Sequence, residues 1–404
     1  VPGGRLLTGA ENSSGLEGSA VQGVFITKHP LDSENYYIFT TDDAISGAAG
    51  ITNGFNYYIY NITTKDLSGP QRLKNKLGTN FRPTEQVSGT FHQNGVDIWI
   101  STHESTIGGS QNFLSYLLKC EGLDENPVES KGGFEVISKT GNERASLNFS
   151  WDGTKAAANY HSFGGTYDPA SSVTLLDFDN SRGEFSNPTP VSPNDNQHGN
   201  PYDCEFSPSG NRLFVSYQCE TGSELGYVDV ATNAYTPAMN FDANECGALK
   251  LGGDGKIYTG TFTFCGGWMY GNSIGAISDL DGTPSYNGDE IITPFEVGWG
   301  LGNMFIPPQD NFNIKDTTGF TTCDSVDIQT IWKCANKSAE NTDDNYSLAE
   351  NYPNAGINPK TGNFKAEDPG TYKIYFQICT LKDSLEVNVI SCDCNVNLGK
   401  ADSI

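Results

Sequence analysis

Basic residues are scarce in this chain: 24 Lys and Arg stand against 49 Asp and Glu, a formal net charge of -25. A surface of that sign repels nucleic-acid phosphates and anionic membranes, which argues against nucleic-acid binding and direct membrane insertion. No apolar run is long enough to cross a bilayer, and no export signal opens the chain. The opening "VPGGRLLTGAENSSGLEGSA" reads as the continuation of something upstream, so a fragment or processed product is expected. Zinc-type C-x2-C spacings are missing, and Cys392 and Cys394 stand too close together for one. Disulfides outside the cytoplasm explain the ten cysteines better. Nucleophile elbow, P-loop, H-E-x-x-H and dinucleotide fingerprint are all lacking, which disfavours the enzyme classes that depend on them. Helical periodicity is nearly absent before residue 310.

What is present is enough to fold. Apolar residues make up 36% and aromatics 11% of the 404 residues, sufficient for real cores. "FSPSGNRLFVSY" from Phe206 is a strand, a Gly-containing turn and a second strand, and the pattern returns. It is repeated in "FSWDGTKAAANY" from Phe149 and "LGGDGKIYTGTF" from Leu251, and more loosely in "FHQNGVDIWIST" from Phe91 and "KHPLDSENYYIFTT" from Lys28. The turn pairs Asn94-Gly95, Asp152-Gly153, Ser209-Gly210 and Asp254-Gly255 supply the positive backbone angles of tight hairpins. A third strand and a shorter fourth follow each hairpin, as in "VTLLDFD" from Val173 and Phe185 to Val191. Four antiparallel strands per repeat describe the blades of a β-propeller over residues 1–310. Full units begin near residues 21, 86, 145, 202 and 246. The strand in "GLGNMFIPP" from Gly300 is expected to close a further blade with residues 1–20, giving six, or seven in a parent protein with an intact first blade.

After residue 310 the pattern changes. "IQTIWKC", "GTYKIYFQIC" and "DSLEVNVI" are three β-runs that fit a small immunoglobulin-like β-sandwich over 311–395, with 396–404 a linker to a following module. A Cys334–Cys379 bridge with Trp332 packed beside it is one pairing compatible with that fold. Cys392 and Cys394 tie down the domain end or pair with Cys323.

The ordered motifs "QGVFITKHPLDSENYYIFTTDD", "NGVDIWISTHES", "YDCEFSPSGNRLFVSY", "LKLGGDGKIY" and "GLGNMFIP" resemble the propeller of large secreted surface proteins of gliding Bacteroidota, exported by type IX secretion. The resemblance spans roughly residues 1 to 308. It implies an extracellular, cell-surface location and a role in adhesion or scaffolding, with immunoglobulin-like or PKD-like modules following in the same chain. It also implies that a first blade is missing upstream of "VPGGRLL".

Candidate ligand residues sit where strands meet loops: Asp42 and Asp43, His103 and Glu104, His161, Tyr167 and Asp168, His198, Trp268 and Tyr270, and Trp299. Aromatic faces beside carboxylates suit a surface glycan, with Tyr167, Trp268 and Tyr270 the strongest set and His103 and His161 beside them. Loop packing is the competing explanation. His103 and His161 end corresponding strands of adjacent blades, but zinc or copper needs a third ligand, and Asp42 matches no spacing motif. Calcium could be held by Asp279, Asp281 and Asp289 in "DLDGTPSYNGDE", although an ordinary solvated turn accounts for the same residues because the rest of an EF-hand is missing. The enzymatic competitor is a metal-dependent, lactonase-like propeller hydrolase, with carboxylates and histidine holding a cation at the axis. Four Asp-Ser/Thr motifs place candidate O-glycosylation at Thr317, Ser325, Ser384 and Ser403, all after residue 310.

Overall fold

The computed structural model describes residues 22–30, 32–41, 54–106, 109–136, 144–161, 172–191, 200–219, 222–241, 247–264, 268–297, 303–305, 320–322, 325–327, 346–359, 363–378 and 381–389. Every regular element among them is a strand. The chain divides into two compact units, Val1–Pro307 and Pro308–Ile404.

The described residues of the first unit form five consecutive sheets. The first contains β1 (Val24–Lys28), β2 (Asn35–Thr40), β3 (Asn56–Asn61) and β4 (Leu67–Arg72). In the second, β5 (Arg82–Pro83) and β6 (Ser88–Phe91) both pair with β7 (Ile98–Ser105), which continues to β8 (Ser110–Lys119) and β9 (Gly122–Val136). The third runs β10 (Arg144–Phe149), β11 (Lys155–His161), β12 (Ser172–Asp179) and β13 (Glu184–Pro190). The fourth runs β14 (Asn200–Phe206), β15 (Arg212–Cys219), β16 (Gly222–Asp229) and β17 (Tyr235–Phe241). The fifth runs β18 (Leu249–Leu251), β19 (Ile257–Phe264), β20 (Trp268–Ser278) and β21 (Ser285–Val297). Each neighbouring pair within these runs is antiparallel, and Phe149 and Phe206 lie in different sheets, as the repeat requires.

The hairpin turns have one chemistry. Gly95, Gly153, Gly210 and Gly255 take φ of 72, 62, 73 and 80°, each donating its N–H to the carbonyl three residues earlier. Only glycine adopts that angle without a Cβ penalty. The preceding side chain closes the turn from inside: Asn94 accepts from Val96 and Asp97 N–H, Asp152 from Thr154, Ser209 from Asn211 and Asp254 from Lys256.

Alternation within the strands buries side chains between successive sheets. Phe25, Phe39, Phe55, Ile98, Leu114 and Tyr116 fill the gap between the first and second. Trp99, Phe113, Tyr160, Phe178 and Phe185 fill the next, Val173, Phe206, Val215 and Tyr217 the third, and Phe214, Leu225, Leu249 and Ile277 the fourth. Fully burying each such side chain stabilises the fold by about 1.5–3 kcal/mol before entropy is counted. Polar pegs lock the stacking: Trp99 Nε1 donates to the Asn180 carbonyl at 2.8 Å, and Arg212 donates to the Leu280 and Gly282 carbonyls at 2.9 and 2.7 Å. Four-stranded sheets packed face to face in chain order make a β-propeller-like arrangement.

The strand expected to close a further blade with residues 1–20 pairs with the first sheet. β22 (Asn303–Phe305) pairs in parallel with β1 and becomes the fifth strand of the first sheet. A three-residue strand cannot satisfy its backbone alone, and the inner edge of β1 offers the unpaired groups it needs. The described residues therefore contain five such sheets where six or seven blades were expected; residues 1–20 lie outside them.

The second unit contains β23 (Phe320–Thr322), β24 (Ser325–Asp327), β25 (Tyr346–Leu348), β26 (Ala355–Ile357), β27 (Asn363–Ala366), β28 (Gly370–Ile378) and β29 (Leu381–Val389). One sheet has the order β23-β29-β28-β25, with β23 parallel to β29, and the other β24-β27-β26. Phe364 of the second sheet meets Tyr372 of the first with ring centroids 5.2 Å apart, so the two faces share a core. Trp332, Cys334 and Cys379, named above as packing partners, lie outside the described residues.

Candidate functional site

Counting back five residues from each turn glycine gives Thr90, Asn148, Glu205 and Lys250, one on the innermost strand of each of the last four sheets. Polar side chains in a strand that is otherwise buried need partners. They find them in one another and in neighbouring backbones. Asn148 Oδ1 accepts from Lys250 Nζ at 3.0 Å and from Gln22 Nε2 at 3.3 Å, while its Nδ2 donates to the Cys204 carbonyl and, at 3.4 Å, to Asp203. Gln22 also forms a two-way pairing with the backbone of Leu147, accepting at 2.8 Å and donating at 2.9 Å. Asn148 thus binds the segment leading into the first sheet, the fourth sheet and the fifth from its own place in the third. Such contacts are possible only where inner strands converge.

Two carboxylates complete the knot. Asp203 accepts from the N–H of Cys204 and of Leu249, each at 2.8 Å, and Glu205 from Phe206 at 3.0 Å and Leu251 at 3.3 Å. Leu249 and Leu251 belong to the next sheet, so both acids fasten the fourth sheet to the fifth. Burial pushes the Glu205 carboxyl up to about 7; Lys250 opposes that rise and Asp203 adds to it. Cys204 between them is a free, buried thiol, which the same burial pushes well above the usual thiol range. Cys120, after β8, is by contrast disulfide-bonded. A parallel chain of contacts runs from Gln86 Nε2 to the Asn159 carbonyl at 3.2 Å, and from Asn159 Nδ2 to the Tyr202 carbonyl at 2.6 Å. The second, third and fourth sheets are linked by it.

The residues singled out from the sequence are placed differently. His103 is not on an open loop face: it is a β7 residue, 0% exposed, 4.4 Å from the Phe113 ring and 5.7 Å from Tyr160 by centroid. Neither of its ring nitrogens makes a well-formed hydrogen bond, and burial pushes the imidazole down to about 3, the Gln111 backbone acting weakly the other way. A side chain so enclosed cannot meet a surface ligand. Glu104 is buried as well, accepting from Ser110 at 3.0 Å and Asn112 at 3.1 Å. His161 ends β11 opposite Arg144. Trp268 and Tyr270 open β20, opposite Phe264 and Phe262. Tyr167, Asp42, Asp43, Asp168, His198 and Trp299 lie outside the described residues.

The three calcium candidates make separate contacts. Asp279, at φ 55°, accepts from Thr283 N–H at 2.9 Å, Asp281 accepts from Ser209 at 2.6 Å, and Asp289 is an exposed residue of β21. Among the described residues no three His, Cys, Asp or Glu side chains form a metal-sized group. Of the glycosylation candidates, Ser325 lies on β24 opposite Lys365, and Ser384 is half-buried on β29 opposite Tyr375. Thr317 and Ser403 are outside the described residues.

No protein family and no curated protein matches the sequence. Solved structures with a similar course of chain include hydrazine synthase of Kuenenia stuttgartiensis, 13% identical, covering 68% of each chain at a TM-score of 0.39. TolB from Acinetobacter baumannii is 13% identical over 66% of this chain and 55% of its own, at a TM-score of 0.33. A protein of unknown function from Dyadobacter fermentans is 9% identical over 67% of this chain and 84% of its own, at 0.40. Likeness at that level says nothing of activity.

Proposed function

We propose that the chain is a non-enzymatic part of an extracellular cell-surface protein, a β-propeller followed by an immunoglobulin-like module, that acts in adhesion, glycan or protein binding, or surface scaffolding. The observation that carries this reading is the use of the two acids where the inner strands converge. A propeller hydrolase needs carboxylates there that are free to hold a cation and activate water. Here all four carboxylate oxygens of Asp203 and Glu205 accept backbone N–H groups.

The acidic surface and the half-cystine at Cys120 support a place outside the cytoplasm. The resemblance to surface proteins of gliding Bacteroidota supports a link to type IX export and gliding motility. On this reading glycan recognition falls to Tyr167, Trp268 and Tyr270, each ring face adding about 0.5–1.5 kcal/mol beyond its buried area. Weak single sites would gain from many surface copies. The test is a glycan array with Trp268→Ala as control, run beside metal analysis and an ester and lactone hydrolysis screen. Binding lost in the variant, without turnover, is the expected result; stoichiometric metal with hydrolysis overturns the reading.

A further inference from the structure

The knot around Asn148 holds two carboxylates nearly closed to water, Asp203 1% and Glu205 7% exposed, beside the half-buried Lys250. The two acids are unequally served. Asp203 takes two backbone N–H groups at 2.8 Å and a third donor from Asn148, whereas Glu205 takes only two backbone N–H groups, Phe206 at 3.0 Å and, across the sheets, Leu251 at 3.3 Å. Lys250 gives its hydrogen bond to the neutral Asn148 amide rather than to either acid. Two negative charges this close cannot both be held cheaply out of water, and the poorly solvated one is the better proton acceptor.

We propose that this knot is a proton-operated fastener, in which protonated Glu205 holds the inner strands of the third, fourth and fifth sheets together more tightly than ionised Glu205 does. The charged groups acting on Glu205 are Lys250 on β18, which favours the ionised form, and Asp203 on its own strand, which opposes it; the Phe206 and Leu251 N–H groups side with Lys250, and the neighbouring Cys204 thiol is neutral. Burial outweighs Lys250 and the Phe206 and Leu251 N–H groups, and pushes the folded carboxyl from its ordinary 4.5 up to about 7. The folded chain therefore keeps a proton the unfolded chain has released. The resulting stabilisation is complete below the unfolded value and is lost as pH rises through about 7. A surface protein built this way is most rigid in weakly acid surroundings and loosens towards alkaline ones.

The experiment is hydrogen exchange by mass spectrometry on the full chain from pH 5 to pH 8, corrected for intrinsic exchange, read on the peptide bearing the Leu249 and Leu251 amides. Wild type should lose protection there on the order of a hundredfold across the range. Glu205→Gln, which keeps the neutral shape at every pH, should stay flat. The difference between the two chains is what counts, because half-buried His29 and buried His103 act on stability with the opposite sign in part of this range. Lys250→Met gives a second reading should Glu205→Gln fail to fold: without the cation the loss of protection should move to higher pH. Equal pH dependence in wild type and Glu205→Gln, or a transition that Lys250→Met leaves in place or lowers, overturns the proposal.

Discussion

At the scale of single residues, equivalent positions in the repeat are not equally tolerant. A Cβ added at Gly153 would stand 2.4 Å from Thr90 Oγ1, whereas at Gly210 the nearest atom is Ser150 Cβ at 3.8 Å. Both glycines hold a left-handed φ, so alanine costs about 1–2 kcal/mol at either position from the backbone alone. Gly153→Ala should therefore lower the urea midpoint of the first unit clearly more than Gly210→Ala does, and equal losses would show that the second sheet yields at Thr90. His103 makes a pH prediction. Its folded imidazole stays neutral down to about 3 while the unfolded one titrates at 6.5, so stability is lost as pH falls below 6.5. His103→Leu removes two unpartnered nitrogens, and should leave stability within about 1 kcal/mol at pH 7 while flattening the decline between pH 6.5 and pH 4. An unchanged acid slope, followed by urea titration at each pH, would rule out His103 as its source.

At the scale of elements, the inner strands depend on one side chain. Asn148→Ala would leave the Lys250 ammonium, the Cys204 carbonyl and the Gln22 amide short of a partner, a loss of about 2–4 kcal/mol. Chemical unfolding should register it in the first unit, and a change under 0.5 kcal/mol would mean that water replaces the amide. The hairpins were legible in the sequence because their turns are local: glycine and the residue before it fix them, whatever surrounds them. The strand after "GLG" was not, since its choice of β1 as partner depends on groups some 280 residues away in the chain. The knot does leave a signal in the sequence. Asn148, Glu205 and Lys250 are polar residues in short apolar strands, all five positions before a turn glycine, and Asp203 stands two residues further back. Aromatics and histidines expected in loops point to the rim instead, and of those residues His103 is interior.

At the scale of the molecule, the convergence of the inner strands is a structural fastening, and under the proposed function recognition falls to the loops. A chain with net charge -25 has reason to fasten itself from within, because self-repulsion works against its compact state. The most direct test is a crystal structure of the chain soaked in manganese or zinc, with anomalous scattering used to find every bound ion. The account predicts the Asn148 amide between Lys250 Nζ and the Cys204 carbonyl, Asp203 and Glu205 seated on the Leu249 and Leu251 amides, and no ion among them. An ion coordinated by either carboxylate, with those amide bonds broken, would contradict it.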